Sequence, residues 1–395
     1  MKRYGTTMLL GLVTIAGAIL AIAHVSIPNT LRFSQVVAKR VGILNNPFPS
    51  GPCDVGSVVL GLPPGPGTAH ELDTIPVRVW FPRVNKCNAR LLNEAERPLA
   101  QLASFAKPIG GSVFPVLLYA PGYKDSKDDN SITALDLASH GYVVVAMDDI
   151  DWRPDPAQMN ASDDFDMSSP DAFRATLRHL DGKVRQQADR AGMIIDRLEA
   201  YNERAETPWP GGLDLRRVGF FGWSYGGATA AEASIRDPRI VSSVNMDGWL
   251  FGDAAAGAQT KPSLTLLSDY LPPTLERLQS SNWKTRFEAV MDFRDLIEKI
   301  RLGLLEDGYF IRVADSIHEN YSDKIIDPKF WKSWFRVDPY ETKLKVDRVL
   351  VAFFDLYLAG RPSDILADAH PSAADTLYRV STQTWVDWPS EVETH

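Results

Sequence analysis

The chain has 395 residues and a net charge of −8 at neutral pH, which argues against a nucleic-acid partner because phosphate binding needs a basic surface. Its hydrophobic content of 45% and charged content of 23% are those of an ordinary globular protein with a substantial core. The sequence has no internal repeat and no long low-complexity tract, so nothing in it suggests a solenoid or a disordered protein.

Residues 1–27 have the pattern of a targeting segment. Lys2 and Arg3 precede an uncharged apolar run from Met8 to Ala23 that ends in small residues, which is the arrangement of a secretory signal peptide. The same run, extended to Ile27, is about long enough to span a bilayer as an uncleaved anchor. Both interpretations stay open, and either one predicts that the bulk of the chain is exported as a periplasmic, secreted or membrane-anchored protein.

The rest of the chain divides into three predicted parts. Residues 28–50 show no clear apolar period and are predicted as a linker. Residues 51–360 carry the strand and helix patterns and are predicted as one globular α/β domain. Residues 361–395 are poorly patterned and are predicted as a C-terminal tail.

The first two strands of the domain are predicted as a hairpin at a sheet edge. Val58–Gly61 and Ile75–Pro82 flank a turn rich in glycine and proline. Pro76 is tolerable only at an edge, because proline cannot donate to a central ladder. The sequence's two cysteines, Cys53 and Cys87, can form a disulfide in an exported protein, and two free buried thiols are the alternative. No histidine lies near them at ligand spacing, so no metal site is predicted.

A strand, a helix and a second strand follow. Phe114–Ala120 and Tyr142–Asp148 are continuous apolar runs of the kind buried on both faces of a sheet. Asn130–His140 has a helical period and is stopped by Gly141. This βαβ unit predicts a parallel sheet. Further strands are predicted at 240–247, 262–269 and 309–314, and further helices at 171–201 and 346–358.

Two segments interrupt this pattern. Residues 149–170 are acidic and rich in proline and serine. A solvated loop is the default interpretation, a lid facing the substrate is the functional one, and the carboxylates lack a calcium-loop pattern. Residues 271–305 are predicted as a helical insertion before the last strand.

The segment Gly222–Gly227 predicts a nucleophile elbow. Its sequence Gly-Trp-Ser-Tyr-Gly-Gly follows a short apolar run and precedes an alanine-rich helix former. A strand, a sharp turn and a helix in this order expose a serine hydroxyl at the edge of a sheet. Ser224 is therefore the candidate nucleophile.

A serine nucleophile needs a base and an acid, which follow it in the chain in this type of fold. His318 comes directly after the last predicted strand, so it is the candidate base. Asp247 and Asp269 both end strands at the edge where such sites form, and position alone does not separate them. The N–H groups of Tyr225 and of Tyr123 are expected to form an oxyanion hole.

A family resemblance narrows the choice of acid. Met246–Phe251 and Ser316–Asp323, together with the elbow, resemble the platelet-activating factor acetylhydrolase group (plasma and type II) of α/β-hydrolases. The resemblance implies an α/β-hydrolase fold with a mostly parallel central sheet, an antiparallel N-terminal edge and helices on both faces. It also implies that the acid is Asp247, with Asp269 as the alternative. Trp223 and Pro121 stand where the family usually has histidine, which leaves the shape of the pocket open.

Together these features predict a serine carboxylic ester hydrolase that needs no cofactor and no metal. Lipid-type esters, such as acetylated or short-acyl phospholipids, are the substrates that the resemblance implies, with association with a membrane surface as an option. Trp223, Trp249 and Phe251 are the candidate pocket residues. Another ester specificity on the same triad is one alternative, and a non-catalytic binding module on a hydrolase scaffold is the other.

Overall fold

A computed structural model describes most of the predicted globular domain. The described residues are 27–42, 44, 48–64, 74–87, 113–155, 166, 168–203, 207–209, 211–269, 272–367 and 377–379. The predicted leader lies outside them except for Ile27, and so do residues 380–395 of the predicted tail. None of the helices in this part of the chain has the length and hydropathy of a membrane span.

The elements alternate between strand and helix through most of the domain. The helices are α1 (Ile27–Arg40), α2 (Ser131–Ser139), α3 (Pro170–Asn202), α4 (Tyr225–Arg236), α5 (Gly252–Ala255), α6 (Leu275–Leu278), α7 (Trp283–Gly303), α8 (Pro339–Ala359) and α9 (Asp364–Ala367). The strands are β1 (Cys53–Leu62), β2 (Ile75–Cys87), β3 (Val113–Ala120), β4 (Val143–Met147), β5 (Gly212–Trp223), β6 (Ile240–Met246), β7 (Ser263–Leu267), β8 (Gly308–Val313) and β9 (Leu377–Arg379). Short 3₁₀ helices lie between β8 and α8.

All the strands within the described residues form one sheet in the order β1-β2-β4-β3-β5-β6-β7-β8-β9. The pairs from β4 through β3 to β8 are parallel. The antiparallel pairs lie at the ends of the sheet, where β1 pairs with β2, β2 with β4, and β8 with β9. This arrangement matches the predicted parallel sheet with an antiparallel N-terminal edge.

Helices cover both faces of the sheet, and the apolar strands supply a core to each. Along β3, the side chains of Val116 and Leu118 enter the core beneath α3 and α4, whereas those of Leu117 and Tyr119 enter the core beneath α2 and α8. Successive side chains of a strand point to opposite faces. The continuous apolar runs read from the sequence are therefore strands buried on both sides.

The predicted linker at 28–50 contains a helix, which corrects the prediction. Helix α1 packs against the segment that leads into α8: Val36 is buried beside Trp334, and the rings of Phe33 and Phe335 stack at 4.3 Å. Lys39 pairs with Asp338 at 3.1 Å. These contacts join residues about 300 positions apart, and the apolar residues Phe33, Val36 and Val37 recur at a helical spacing that the linker prediction overlooked.

The N-terminal hairpin forms at the sheet edge, with Cys53 directly opposite Cys87 in the register of β1 and β2. Cys53 is disulfide-bonded, and Cys87 is the other cysteine of the sequence. The predicted tail adds β9 at the opposite edge of the sheet, beside β8. That strand extends the sheet beyond the strand expected to be its last.

Candidate active site

Ser224 lies on the tight turn between β5 and α4. Its backbone has φ 55° and ψ −124°, a strained conformation for a residue with a side chain. A Cβ on Gly222 would lie 2.1 Å from the carbonyl oxygen of Gly226, and one on Gly226 would lie 2.0 Å from that of Ala120. The glycines of the Gly-x-Ser-x-Gly pattern are thus required by the close approach of strand, turn and helix.

A continuous chain of hydrogen bonds joins three of the predicted site residues. His318 Nε2 lies 3.1 Å from Ser224 Oγ, and His318 Nδ1 lies 2.8 Å from Asp247 Oδ2. The other carboxylate oxygen of Asp247 accepts the N–H of Ser268 at 2.8 Å. The carboxylate is 7% exposed, whereas the imidazole is 42% exposed. The arrangement can orient the imidazole and pass a proton from the hydroxyl to its outer nitrogen.

Asp269, the alternative acid, has different partners. Its carboxylate pairs with Arg312 at 2.5 Å and accepts the N–H of Asp315 at 3.1 Å. Its own N–H donates to the carbonyl of Ser316 at 3.1 Å. Asp269 therefore holds the segment between β8 and His318, while the imidazole bonds Asp247.

The candidate base stands at the start of a 3₁₀ helix, His318–Tyr321, where the sequence predicted a loop. The side chain of Asn320 accepts the N–H of Ile317 at 2.8 Å and fixes the beginning of this turn. Trp223 Nε1 donates to the carbonyl of His318 at 2.9 Å, and the two rings lie 5.1 Å apart. The residue that precedes Ser224 thus holds the backbone of the candidate base.

The two predicted oxyanion-hole segments lie together beside Ser224. Tyr225 is the first residue of α4, at the end of the helix where the dipole is positive. The ring of Tyr123 meets the ring of Tyr225 edge-on at 5.4 Å. Gly122 brings the β3 loop close to the elbow, since a Cβ there would lie 2.8 Å from the indole of Trp223.

Ser224 lines a cavity of about 420 Å³, within the size range of small-molecule sites. Trp249 and Phe251, two of the predicted pocket residues, lie in its wall. Trp223 is not among the lining residues, because its side chain packs into the core beneath α2 and α8. The apolar part of the lining is completed by Leu180, Leu267 and Leu296.

The inserted helix α7 supplies polar lining residues that the sequence reasoning missed. Asp292, Asp295 and Lys299 all reach the cavity. Asp295 pairs with Lys299 at 2.6 Å and accepts the N–H of Leu250 at 2.7 Å. Burial raises the pKa of Asp295. The spacing of 292, 295 and 299 on one helical face was the available sequence signal, but it does not say which face meets the cavity.

The start of the predicted lid-like stretch 149–170 contacts the rim of the site. Asp151 forms an ion pair with Lys183 of α3, and Lys183 donates to Tyr123 Oη at 3.2 Å. Burial raises the pKa of Asp149 to about 6. Residues 156–165 of the stretch lie outside the described residues, so its role as a lid stays a prediction.

No group of three or more histidine, cysteine, aspartate or glutamate side chains in the described part of the chain is arranged to hold a metal ion.

Comparison with known proteins supports the resemblance seen in the motifs. No family profile matches the chain. A probable 1-alkyl-2-acetylglycerophosphocholine esterase from Arthroderma benhamiae is 25% identical over 193 residues, 48% of this chain and 46% of that protein. The platelet-activating factor acetylhydrolase of Cavia porcellus is 21% identical over 234 residues, 54% of this chain and 49% of that protein. The chain thus spans about half the length of the curated relatives it matches.

A solved structure gives the fold. The ferulic acid esterase from Streptomyces cinnamoneus superposes with a TM-score of 0.50 at 20% identity, covering 83% of this chain and 95% of that one. Likeness at this level of identity concerns the fold alone. The chain has the α/β-hydrolase fold, and its sequence resembles the platelet-activating factor acetylhydrolases.

Proposed function

We propose that the protein is a serine carboxylic ester hydrolase that forms an acyl-enzyme on Ser224. The observation that carries the proposal is the chain of hydrogen bonds from Asp247 through His318 to Ser224, at a largely apolar cavity. The curated relatives support it, because both are named as esterases or acetylhydrolases. A non-catalytic binding module is disfavoured, because binding alone does not require an aligned serine, histidine and aspartate.

The first half of the reaction forms the acyl-enzyme. Ser224 Oγ attacks the ester carbonyl carbon while His318 Nε2 takes the hydroxyl proton. Asp247 accepts the hydrogen bond of Nδ1–H and stabilises the imidazolium that forms. The amide N–H groups of Tyr123 and Tyr225 donate to the oxyanion. The tetrahedral intermediate then collapses, and the leaving alcohol takes the proton from His318.

The second half releases the acid. A water molecule attacks the acyl carbon and gives a proton to His318 Nε2. The second tetrahedral intermediate expels Ser224 Oγ, which recovers its proton from the imidazolium. The net reaction is ester plus water to alcohol plus carboxylic acid, and the triad returns to its starting state.

Lipid-type esters, such as acetylated or short-acyl phospholipids, are the substrates that we propose. The names of the curated relatives favour this class. The cavity supports it as well, because Leu180, Trp249, Phe251, Leu267 and Leu296 can cover the hydrocarbon part of an ester. Aryl esters and polyesters would use the same triad and are the alternatives that a substrate panel must separate.

Labelling with a fluorophosphonate probe tests the proposal directly. We expect the wild-type protein to be labelled and Ser224→Ala to be neither labelled nor active on acetyl esters. Ser281→Ala, which changes an exposed serine near the start of α7, is the matched control and should behave like the wild type. Labelling that persists in Ser224→Ala, or is absent from the wild type, would contradict the proposed nucleophile.

Export is the remaining part of the proposal, and it rests on the pattern of residues 1–27. N-terminal sequencing of the protein recovered from the expressing cells and from their surroundings tests it. A mature chain that begins at His24 would indicate cleavage after Ala23, whereas an intact N-terminus in the membrane fraction would indicate an anchor. An intact chain found in the cytoplasm alone would contradict export.

A further inference from the structure

We propose that Lys299 forms a second binding position in the cavity, which takes a neutral oxygen atom of the substrate. The oxygen would be an ether, carbonyl or hydroxyl oxygen in the arm of the ester that enters the cavity. This inference rests on the proposed ester hydrolysis and extends it to the chemical class of the substrate.

The ammonium group of Lys299 retains unused donor capacity inside the cavity. Lys299 lines the same cavity as Ser224 but is only 2% exposed. Its Nζ forms an ion pair with Asp295 at 2.6 Å, and no other hydrogen bond or ion pair of this Nζ is found among the described residues. A lysine ammonium has three N–H donors, so a ligand in the cavity can accept from those that Asp295 leaves.

Each oxygen of the partner carboxylate already has a partner. One oxygen of Asp295 accepts the N–H of Leu250 at 2.7 Å, and the other faces Lys299. Leu250 belongs to the segment that follows Asp247 in the chain. The pair therefore joins α7 to the neighbourhood of the triad and holds Lys299 at a fixed place in the wall.

The charges of this wall favour a neutral acceptor over an ion. Asp295 already balances the ammonium, and Asp292 adds a second carboxylate to the lining. A carboxylate or phosphate on the buried arm would lie close to the Asp295 carboxylate, which would repel it. A neutral oxygen accepts from Lys299 without that repulsion. A hydrocarbon arm would fit the apolar lining but leave buried donors unpaired, which is unfavourable.

A purely structural ion pair is the competing interpretation. In that case the ion pair would only fix α7 to Leu250, and esters with a methylene or an oxygen at the same position would have similar kcat/KM. The two interpretations differ in a measurable quantity, which is the ratio of kcat/KM for an ester with an oxygen in its arm to kcat/KM for its hydrocarbon isostere.

The experiment uses matched esters in which one methylene at a time is replaced by an ether oxygen. One series varies the acyl arm of p-nitrophenyl esters, and a second varies the alcohol arm of acetates. We expect one oxygen position in one series to raise kcat/KM of the wild type about tenfold, the scale of a hydrogen bond to a charged group. Lys299→Met should abolish that preference, whereas Lys284→Met, an exposed lysine at the start of α7, should retain it.

The outcomes separate this inference from the proposed function. Wild-type protein that hydrolyses the hydrocarbon esters through Ser224 but shows no oxygen preference in either series overturns the binding position and leaves the esterase intact. Absence of any Ser224-dependent hydrolysis overturns the proposed function itself. A preference that persists in Lys299→Met also overturns the assignment. If that variant fails to fold, the double variant Lys299→Met/Asp295→Asn removes both charges and keeps an acceptor for Leu250.

Discussion

Replacing Asp247 with asparagine tests the hydrogen bond that its carboxylate accepts from His318. The wild-type carboxylate accepts from two donors, His318 Nδ1–H at 2.8 Å and Ser268 N–H at 2.8 Å. An asparagine side chain has one acceptor oxygen and one NH₂ donor. The backbone N–H of Ser268 cannot change, so the oxygen stays with it and the NH₂ group turns to the imidazole.

The imidazole then has to present an acceptor at Nδ1, which places its proton on Nε2. His318 in that tautomer cannot take the proton of Ser224. A change of this kind reduces kcat by about 10⁴-fold in serine hydrolases that use the same constellation. We expect a loss of this order in Asp247→Asn with the fold intact, because the side-chain volume is nearly unchanged.

Asp269→Asn is the matched control. Its carboxylate pairs with Arg312 at a site where both side chains are about one-third exposed, and such pairs are worth roughly 0–1 kcal/mol. We expect kcat/KM to fall by less than about tenfold. The assay is steady-state hydrolysis of p-nitrophenyl acetate, with thermal melts to show that both variants fold. A larger loss in Asp269→Asn than in Asp247→Asn would refute the reasoning.

The remaining predictions concern stability. Gly182 lies inside α3, and a Cβ added there would have no neighbouring atom within 4 Å, so Gly182→Ala should raise the unfolding free energy by about 0.5–1 kcal/mol. A Cβ on Gly226 would lie 2.0 Å from the carbonyl oxygen of Ala120, so Gly226→Ala should lower the unfolding free energy by about 3 kcal/mol. Urea titration measures both, and equal effects would contradict the packing argument. Burial raises the pKa of Asp129 from 3.8 to about 8, so between these values the folded state holds a proton that the unfolded state has lost, and stability falls as pH rises. In Asp129→Asn the side-chain oxygen can still accept the hydrogen bond that Tyr119 Oη donates to the carboxylate at 2.6 Å. The variant should flatten the fall in Tm between about pH 5 and pH 8.5. An unchanged slope would show that Asp129 is not the source of the pH dependence.

The features that the sequence predicted well are those encoded locally. Elbow, strand and helix follow from short patterns around Ser224, and the parallel order of the strands follows from the βαβ unit. His318 is the candidate base because it comes directly after a strand that ends at the site edge, and its Nε2 lies 3.1 Å from Ser224 Oγ. In each case the residues that carry the signal are close together in the chain.

The features that the sequence missed depend on contacts between distant residues. Helix α1 is held by an aromatic cluster that includes Trp334, and although its apolar residues recur at helical spacing, the segment they pack against lies about 300 positions away in the chain. Strand position alone left Asp247 and Asp269 as alternative acids, because both end neighbouring strands; the family resemblance favoured Asp247, whose carboxylate meets the imidazole at 2.8 Å. Lys299 was recognised only as part of a helical insertion, since burial against the cavity is a property of the packed helix.

Trp223 links the turn that carries Ser224, the backbone of His318 and the loop at Gly122. Its ring nitrogen bonds the backbone of His318, its ring edge sets the space allowed to Gly122, and its own backbone precedes Ser224. Lys324 lies over the same ring at 4.8 Å. We expect a substitution at this position to disturb all three segments together, although the indole is absent from the cavity lining. We therefore expect substitutions in α7, which supplies part of the cavity wall, to change the substrate range more readily.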